Sequence, residues 1–359
     1  MGNNVLVLYS NLTEYMYNCF SCATSLYDIN FFVIKKRSNS VTPFIFPPND
    51  KIKLYDVDEM SYDGIVGILD REKIGFVLCS GWNNALYRKI ARRNIQRNGG
   101  TSVLLLDSFY HYTLKQKLNL IVAPLFLKRY FNRVWVPGYF QFEYARRIGF
   151  KKEEIFTGVY AANLKIFNEK SRPVYTSFNR CFYYVGRLID VKGVKVLLSV
   201  LTGMTEELES RNWTFCIIGN GKYEKEYQAL SQRSKSIKYL PFMQPEKLKA
   251  EMSGGGVFVL PSILESWGLV VQEFAVLGFP LLLSDHVGAY PHFLIDRYNG
   301  LLFRHNSESA LKQALCKIMD TGEEELIAMG KRSSEVSNDF TPAIWAAKLN
   351  TMILQSQKD

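Results

Sequence analysis

The chain has 359 residues, 47% of them apolar, 14% aromatic and 22% charged, and 44 Lys+Arg against 34 Asp+Glu give a formal net charge of +10. That length fits two domains, and the composition excludes a disordered chain, a collagen-like repeat and a small disulfide-stapled scaffold. The basic excess leaves three classes of partner open: nucleic acid, an anionic membrane surface, and phosphate-bearing small molecules.

In the first half, strands are predicted at 4–9, 31–34, 75–80, 102–107 and 133–137, where short β-branched and aromatic runs end in turn residues. The apolar stretch 5–9 is too short for a secretory signal and has no basic residues before it, and the six cysteines lie mostly inside apolar runs. Both features point to reduced thiols in a cytoplasmic protein. A lone Cys19-Phe-Ser-Cys22 has no second pair or nearby histidine to make a metal site, and the chain holds four histidines in all.

Residues 83–97 read as a helix with Leu86 and Ile90 inward and two ladders at four-residue spacing, Arg88/Arg92 and Lys89/Arg93/Arg97, stopped by Asn98-Gly99-Gly100. The apolar run 118–127 contains Pro124, is flanked by Lys115, Lys117, Lys128 and Arg129, and falls far short of the roughly 20 residues that span a bilayer. Residues 71–152 hold 16 basic groups against three acidic ones, Glu72, Asp107 and Glu143. Two readings stay open for this segment: ordinary packing with a solvated charged face, or an apolar run and a basic ladder resting on an anionic membrane. Nucleic acid is disfavoured, because the ladder lacks interleaved aromatics and no recognition motif accompanies it.

In the second half, strands are predicted at 180–185, 214–219, 236–240, 256–260 and 280–284, again alternating with helices. Such βα alternation indicates parallel sheets covered on both faces. A charged, Pro-containing break at 168–179 divides two tandem Rossmann-like, doubly wound α/β domains, 1–168 and 169–340, and the apolar helix in 341–359 is a candidate to pack back on the first. Ligands of open α/β sheets bind beyond the carboxyl ends of the strands, so the expected site is a cleft between the two domains.

Four islands in the second half carry the chemistry. Val185-Gly186-Arg187-Leu188, then Lys192-Gly193, ends a strand and opens a helix near Val194, placing two cations beside a helix N-terminus suited to a diphosphate. Gly219 and Gly221 end the next strand and let backbone approach a ligand or make a tight turn. In Pro261-Ser-Ile-Leu-Glu265-Ser-Trp-Gly268-Leu269-Val270-Val-Gln-Glu273 a helix begins near Gly268. Glu265 and Glu273 are placed to hold hydroxyls of one ligand at separate points, with the N–H groups of Gly268, Leu269 and Val270 around a phosphate between them. The fourth island runs from Ser284-Asp285-His286-Val287-Gly288 to Asn299-Gly-Leu-Leu-Phe303.

As a set and in this order, Arg187 with Lys192-Gly193, the Glu265/Glu273 pair within its Pro-Ser…Gly-Leu-Val frame, and Asn299-Gly-Leu-Leu-Phe303 resemble the donor half of the family 4 retaining glycosyltransferases. These are group 1 enzymes of GT-B fold, often found in polysaccharide and lipopolysaccharide assembly. The resemblance implies a UDP- or GDP-linked sugar donor with Arg187 and Lys192 on its diphosphate, Glu273 on the ribose and Glu265 near the sugar, a glycan or lipid-linked acceptor, and no metal or other cofactor. The first half is similar only in layout: Ser10-Asn-Leu-Thr-Glu-Tyr-Met stands where the family often has a glycine-rich loop, and Asn163 where an acid is usual. His111, after the strand 102–107, is either a structural histidine or one facing the donor sugar. Asp56-Val57-Asp58 matches the metal motif of the other glycosyltransferase fold but follows Leu54-Tyr55 like an ordinary strand end. The expectation is a cytoplasmic retaining glycosyltransferase, peripheral at the inner face of a membrane if the basic segment docks there. The alternatives are an epimerase or phosphorylase on the same fold, or a nucleic-acid-binding protein.

Overall fold

The structure, a computed structural model, describes residues 3–36, 46–97, 99–163 and 178–357. It divides into two units, Met1–Asn163 with Phe340–Asp359, and Leu164–Asp339. The expected break at 168–179 lies mostly outside the described residues.

The first unit is built on seven parallel strands: β1 Asn4–Tyr9, β2 Asn30–Lys35, β3 Ile52–Asp56, β4 Phe76–Ser80, β5 Thr101–Leu105, β6 Arg133–Val136 and β7 Ile155–Thr157. Their order is β3-β2-β1-β4-β5-β6-β7. In β1, Val5 and Val7 face one buried cluster while Leu6 and Leu8 face the other. Both sheet faces are therefore covered, which is why the strands read as continuous apolar runs. The two strands missing from the sequence reading are the sheet edges. β3 is mostly half-buried and β7 has three residues, so neither carries a full apolar run. Asp56 closes β3 in an ion pair with Lys35 at 2.7 Å, as an ordinary strand end does.

The helix Pro342–Ser356 belongs to this unit. The Thr341 side chain caps it by accepting from the Ile344 N–H at 3.1 Å. Trp345 stacks on Trp135 of β6 with ring centroids 4.9 Å apart, and its indole N–H donates to the Val159 carbonyl at 2.9 Å.

The second unit has six parallel strands: β8 Cys181–Val185, β9 Thr214–Ile218, β10 Ile237–Leu240, β11 Val257–Leu260, β12 Leu281–Ser284 and β13 Gly300–Phe303. Their order is β10-β9-β8-β11-β12-β13. The connection direction reverses between β8 and β11, and at such a switch point neighbouring loops leave the sheet in opposite directions and open a crevice at the strands' carboxyl ends. All six cysteines are free thiols.

Candidate functional site

The loop after β8 carries Arg187 and Lys192; the loop after β11 carries Glu265 and leads into the helix Leu269–Val276. These are the two loops of the second sheet's switch point, and backbone hydrogen bonds tie them together. The N–H groups of Ile263 and Leu264 both donate to the Val191 carbonyl, at 2.9 and 3.0 Å. Gly193 lies against the same loop: a Cβ there would meet the Pro261 carbonyl oxygen at 1.9 Å, and its φ of +70° is itself a left-handed conformation.

The other two islands join the same rim. Leu188 bridges to Gly221, its N–H donating to the Asn220 carbonyl at 2.9 Å, and the Gly186 N–H reaches the Ile218 carbonyl at 3.0 Å. Gly219 and Gly221 therefore serve close backbone packing on the β8 loop. Glu265 bridges to Val287: its N–H donates to the His286 carbonyl at 3.1 Å, and its carbonyl accepts from the Gly288 N–H at 2.8 Å. Islands far apart in the chain thus form one zipped edge across β9, β8, β11 and β12.

Within that edge Lys192 and Glu265 form an ion pair, both side chains largely buried. The sequence reading assigned them to different parts of a ligand; here each is the other's partner. Arg187 is exposed, and among the described residues no ion pair holds its guanidinium. Its backbone is fixed, since the buried Tyr184 hydroxyl donates to the Arg187 carbonyl at 2.8 Å. Burial, reinforced by the Glu265 charge, pushes that phenol's pKa up, so Tyr184 stays a donor. Gly268, at φ +90°, precedes the first turn that contains Leu269 and Val270, and a Cβ on it would crowd the Glu265 side chain at 3.0 Å. Glu273 is half-buried in the second turn of that helix.

Asp285, His286 and His305 bring metal-ligand-type atoms within 4.8 Å of one another. His305 Nδ1 is bonded to Asp285 at 2.6 Å and His286 Nδ1 to the Ile263 carbonyl at 2.9 Å. The two rings stack with centroids 3.4 Å apart and 13° between planes, so their in-plane lone pairs run side by side instead of converging on one ion. The cluster braces the loop that bears Glu265.

The first unit holds a constellation that the sequence reading missed. Tyr9 ends β1, Asp107 follows β5, and Tyr15 and Tyr160, edge-on to each other with ring centroids 5.6 Å apart, complete a buried group in which Tyr160 influences the titration of both Tyr9 and Asp107. Burial raises the Asp107 pKa from its ordinary value, against the lowering effect of the neighbouring Ser108 and Tyr160. Burial likewise pushes Tyr9 and Tyr160 far up. The one available signal was an acid closing an apolar strand. His111 sits nearby in sequence, its N–H donating to Gln116 at 2.6 Å and its ring edge-on to Phe109. Asn163 donates to Glu14 at 3.0 Å.

The basic segment is not one uniform patch. Arg88 lies over the rings of Phe126 and Tyr130, and Lys128 is paired with Glu154. Lys89, Arg92, Lys115, Lys117 and Arg129 are exposed, and Arg93 is half-buried.

Residues 169–335 match the family model described as glycosyl transferases group 1. A D-inositol 3-phosphate glycosyltransferase of Corynebacterium glutamicum is 28% identical over 176 residues, which cover 47% of this chain and 42% of that protein. The match thus spans under half of the curated relative's length. Whole-chain likeness is structural: sucrose-phosphate synthase of Thermosynechococcus elongatus superposes with a TM-score of 0.75 at 15% identity, covering 98% of both chains. An Anabaena protein in complex with UDP-glucose gives 0.71 at 15% identity, covering 98% of this chain and 99% of that one. The chain has the GT-B fold, and its residues 169–335 are similar to the glycosyl transferases group 1.

Proposed function

We propose that this protein is a retaining glycosyltransferase that moves a sugar from a nucleoside-diphosphate donor to a glycan or lipid-linked acceptor in cell-surface polysaccharide assembly. The observation that carries the donor half is the zipped rim at the β8/β11 switch point, with an exposed Arg187 on the same loop as Lys192 of the Lys192–Glu265 pair. The structural relative crystallised with UDP-glucose supports a nucleotide-sugar donor.

In this reading Arg187 takes the diphosphate, and Lys192 reaches the phosphate from its seat on Glu265, so that arriving negative charge meets a cation already oriented. The first-turn N–H groups of Leu269 and Val270 add partial positive charge. Glu273 holds the ribose, and Glu265, its loop braced by His286, faces the sugar. When the glycosidic bond to the diphosphate breaks, charge grows on the leaving oxygen, and cations fixed in advance stabilise it without reorganising. Arg187 and Lys192 fill the charge-neutralising role that a divalent ion plays elsewhere, so no metal is required. The acceptor hydroxyl attacks from the face the diphosphate leaves, and the departing phosphate takes its proton.

The test is release of nucleoside diphosphate from a panel of donors, with acceptor and without, in the intact chain and in Arg187→Ala and Glu273→Ala. Acceptor-dependent release that both substitutions abolish, with circular dichroism unchanged, is the expected result. Full activity in either variant, or turnover requiring inorganic phosphate, overturns it.

A further inference from the structure

The helix Leu114–Phe126 has an inner face that is firmly held. Thr113 caps it, accepting from the Gln116 N–H at 3.3 Å. The Gln116 side chain donates to the Phe109 carbonyl at 2.8 Å and accepts from the His111 N–H at 2.6 Å. Leu120 and Phe126 pack against the core, Ala123 is buried, and Pro124 packs against Gly149. These contacts fix which side of the helix points outward.

The outward side is apolar. Leu114 is 78% exposed, Leu118 64%, Ile121 71%, Val122 57% and Leu125 75%. At about 100° per residue these five positions fall within an arc of about 100°, the width of an amphipathic helix's apolar face. Lys117 lies just beyond one edge of that arc and Lys115 just beyond the other, and both are exposed. Tyr112, 70% exposed, stands immediately before the helix. The helix Ala85–Gln96 touches its C-terminal end, where Arg88 covers the Phe126 ring at 5.4 Å, and it adds exposed Lys89 and Arg92. No helix of the described residues is long and apolar enough to cross a membrane.

An apolar stripe bordered by lysines and flanked by a second basic helix matches the two components of an interfacial membrane site: acyl chains for the leucines, anionic headgroups for the cations. A second copy of the chain fits poorly, because a symmetric dimer through this face would set two segments of 16 basic and three acidic groups against each other. We propose that the outer face of the helix Leu114–Phe126 lies in the headgroup region of an anionic bilayer, with Leu114, Leu118, Ile121, Val122 and Leu125 inserted and Lys115, Lys117, Lys89 and Arg92 on the headgroups. Nothing in this inference rests on the glycosyl-transfer reading.

The test is co-sedimentation of the full chain with vesicles of phosphatidylcholine alone and of phosphatidylcholine with about one third phosphatidylglycerol, at low and high salt. Binding is expected to favour the anionic vesicles at least tenfold and to weaken with salt. The variant Leu118→Glu/Ile121→Glu/Leu125→Glu removes exposed groups only and is expected to keep the wild-type circular dichroism and melting temperature and to lose at least tenfold in partition. Lys115→Glu/Lys117→Glu should lower the anionic preference while leaving residual binding. Absence of wild-type binding to anionic vesicles at low salt overturns the proposal, as does a triple-glutamate variant that binds like wild type. A stable wild-type dimer that this variant converts to monomer, without vesicle binding by either, assigns the face to a second copy instead.

Discussion

The two units use the carboxyl ends of their parallel sheets in different ways. In the second unit the rim between β8 and β11 is made of backbone: loops cross-linked by Ile263, Leu264, Leu188 and Glu265, glycines where chains touch, and few charges, of which Lys192 and Glu265 are paired. In the first unit the corresponding ends carry side chains instead, with Tyr9, Tyr15, Asp107 and Tyr160 packed into a buried polar group. Backbone rims need particular residues at particular spacings, above all glycine, and so leave a motif. Side-chain clusters assemble from positions as far apart in the chain as Tyr9 and Tyr160 and leave none.

The widest expected contrast comes from Arg187→Ala, which should lower turnover by about 10²–10³-fold with little change in melting temperature, as loss of one preorganised charge-stabilising group does. An equal loss from Asp107→Ala in the first unit would erase the distinction between the two sheets. Next is Gly193→Ala. A methyl group placed 1.9 Å from the Pro261 carbonyl, at positive φ, should cost about 2–3 kcal/mol of stability, read from chemical denaturation. Wild-type stability there would mean that the rim is looser than its hydrogen bonds imply.

A double-mutant cycle of Lys192→Met and Glu265→Gln should give a coupling of about 1 kcal/mol in stability, since the pair is largely but not fully buried. Added nucleoside diphosphate should change that coupling if Lys192 serves both partners. The smallest effect is a pH dependence. Burial raises the Asp107 pKa, so over the interval from its unfolded value up to the raised value the native state binds more protons than the unfolded one. The group therefore costs stability as pH rises through that interval. Relative to Asp107→Asn, wild type should lose melting temperature from about pH 4 toward neutrality. The opposite slope would show that the lowering effect of Ser108 and Tyr160 outweighs burial.

Much of the rim between β8 and β11 was legible in the chain. Strand 180–185 and the helix start near Gly268 fall within a residue of β8 and Leu269–Val276, because continuous apolar runs and glycine boundaries are local signals. The pairing of Lys192 with Glu265 was not legible: 73 positions separate them, and only the adjacency of β8 and β11 brings their loops together. β3 and β7 were missed because an edge strand is covered on fewer sides and carries a weaker apolar pattern.

The sequence by itself determined two βα series, the charge asymmetry between halves, and the four motif islands of the second half. Each depends on residue type within a short window, where backbone propensity and burial pattern act locally. Only the tertiary structure decided which charges meet, that Asp107 is enclosed by tyrosines, and which way the run 118–127 faces. Helical periodicity defines a stripe without saying what covers it. Here Gln116 through its hydrogen bonds and Leu120 and Ala123 through close packing won the inner face, and Leu114, Leu118, Ile121, Val122 and Leu125 were left on the outer one.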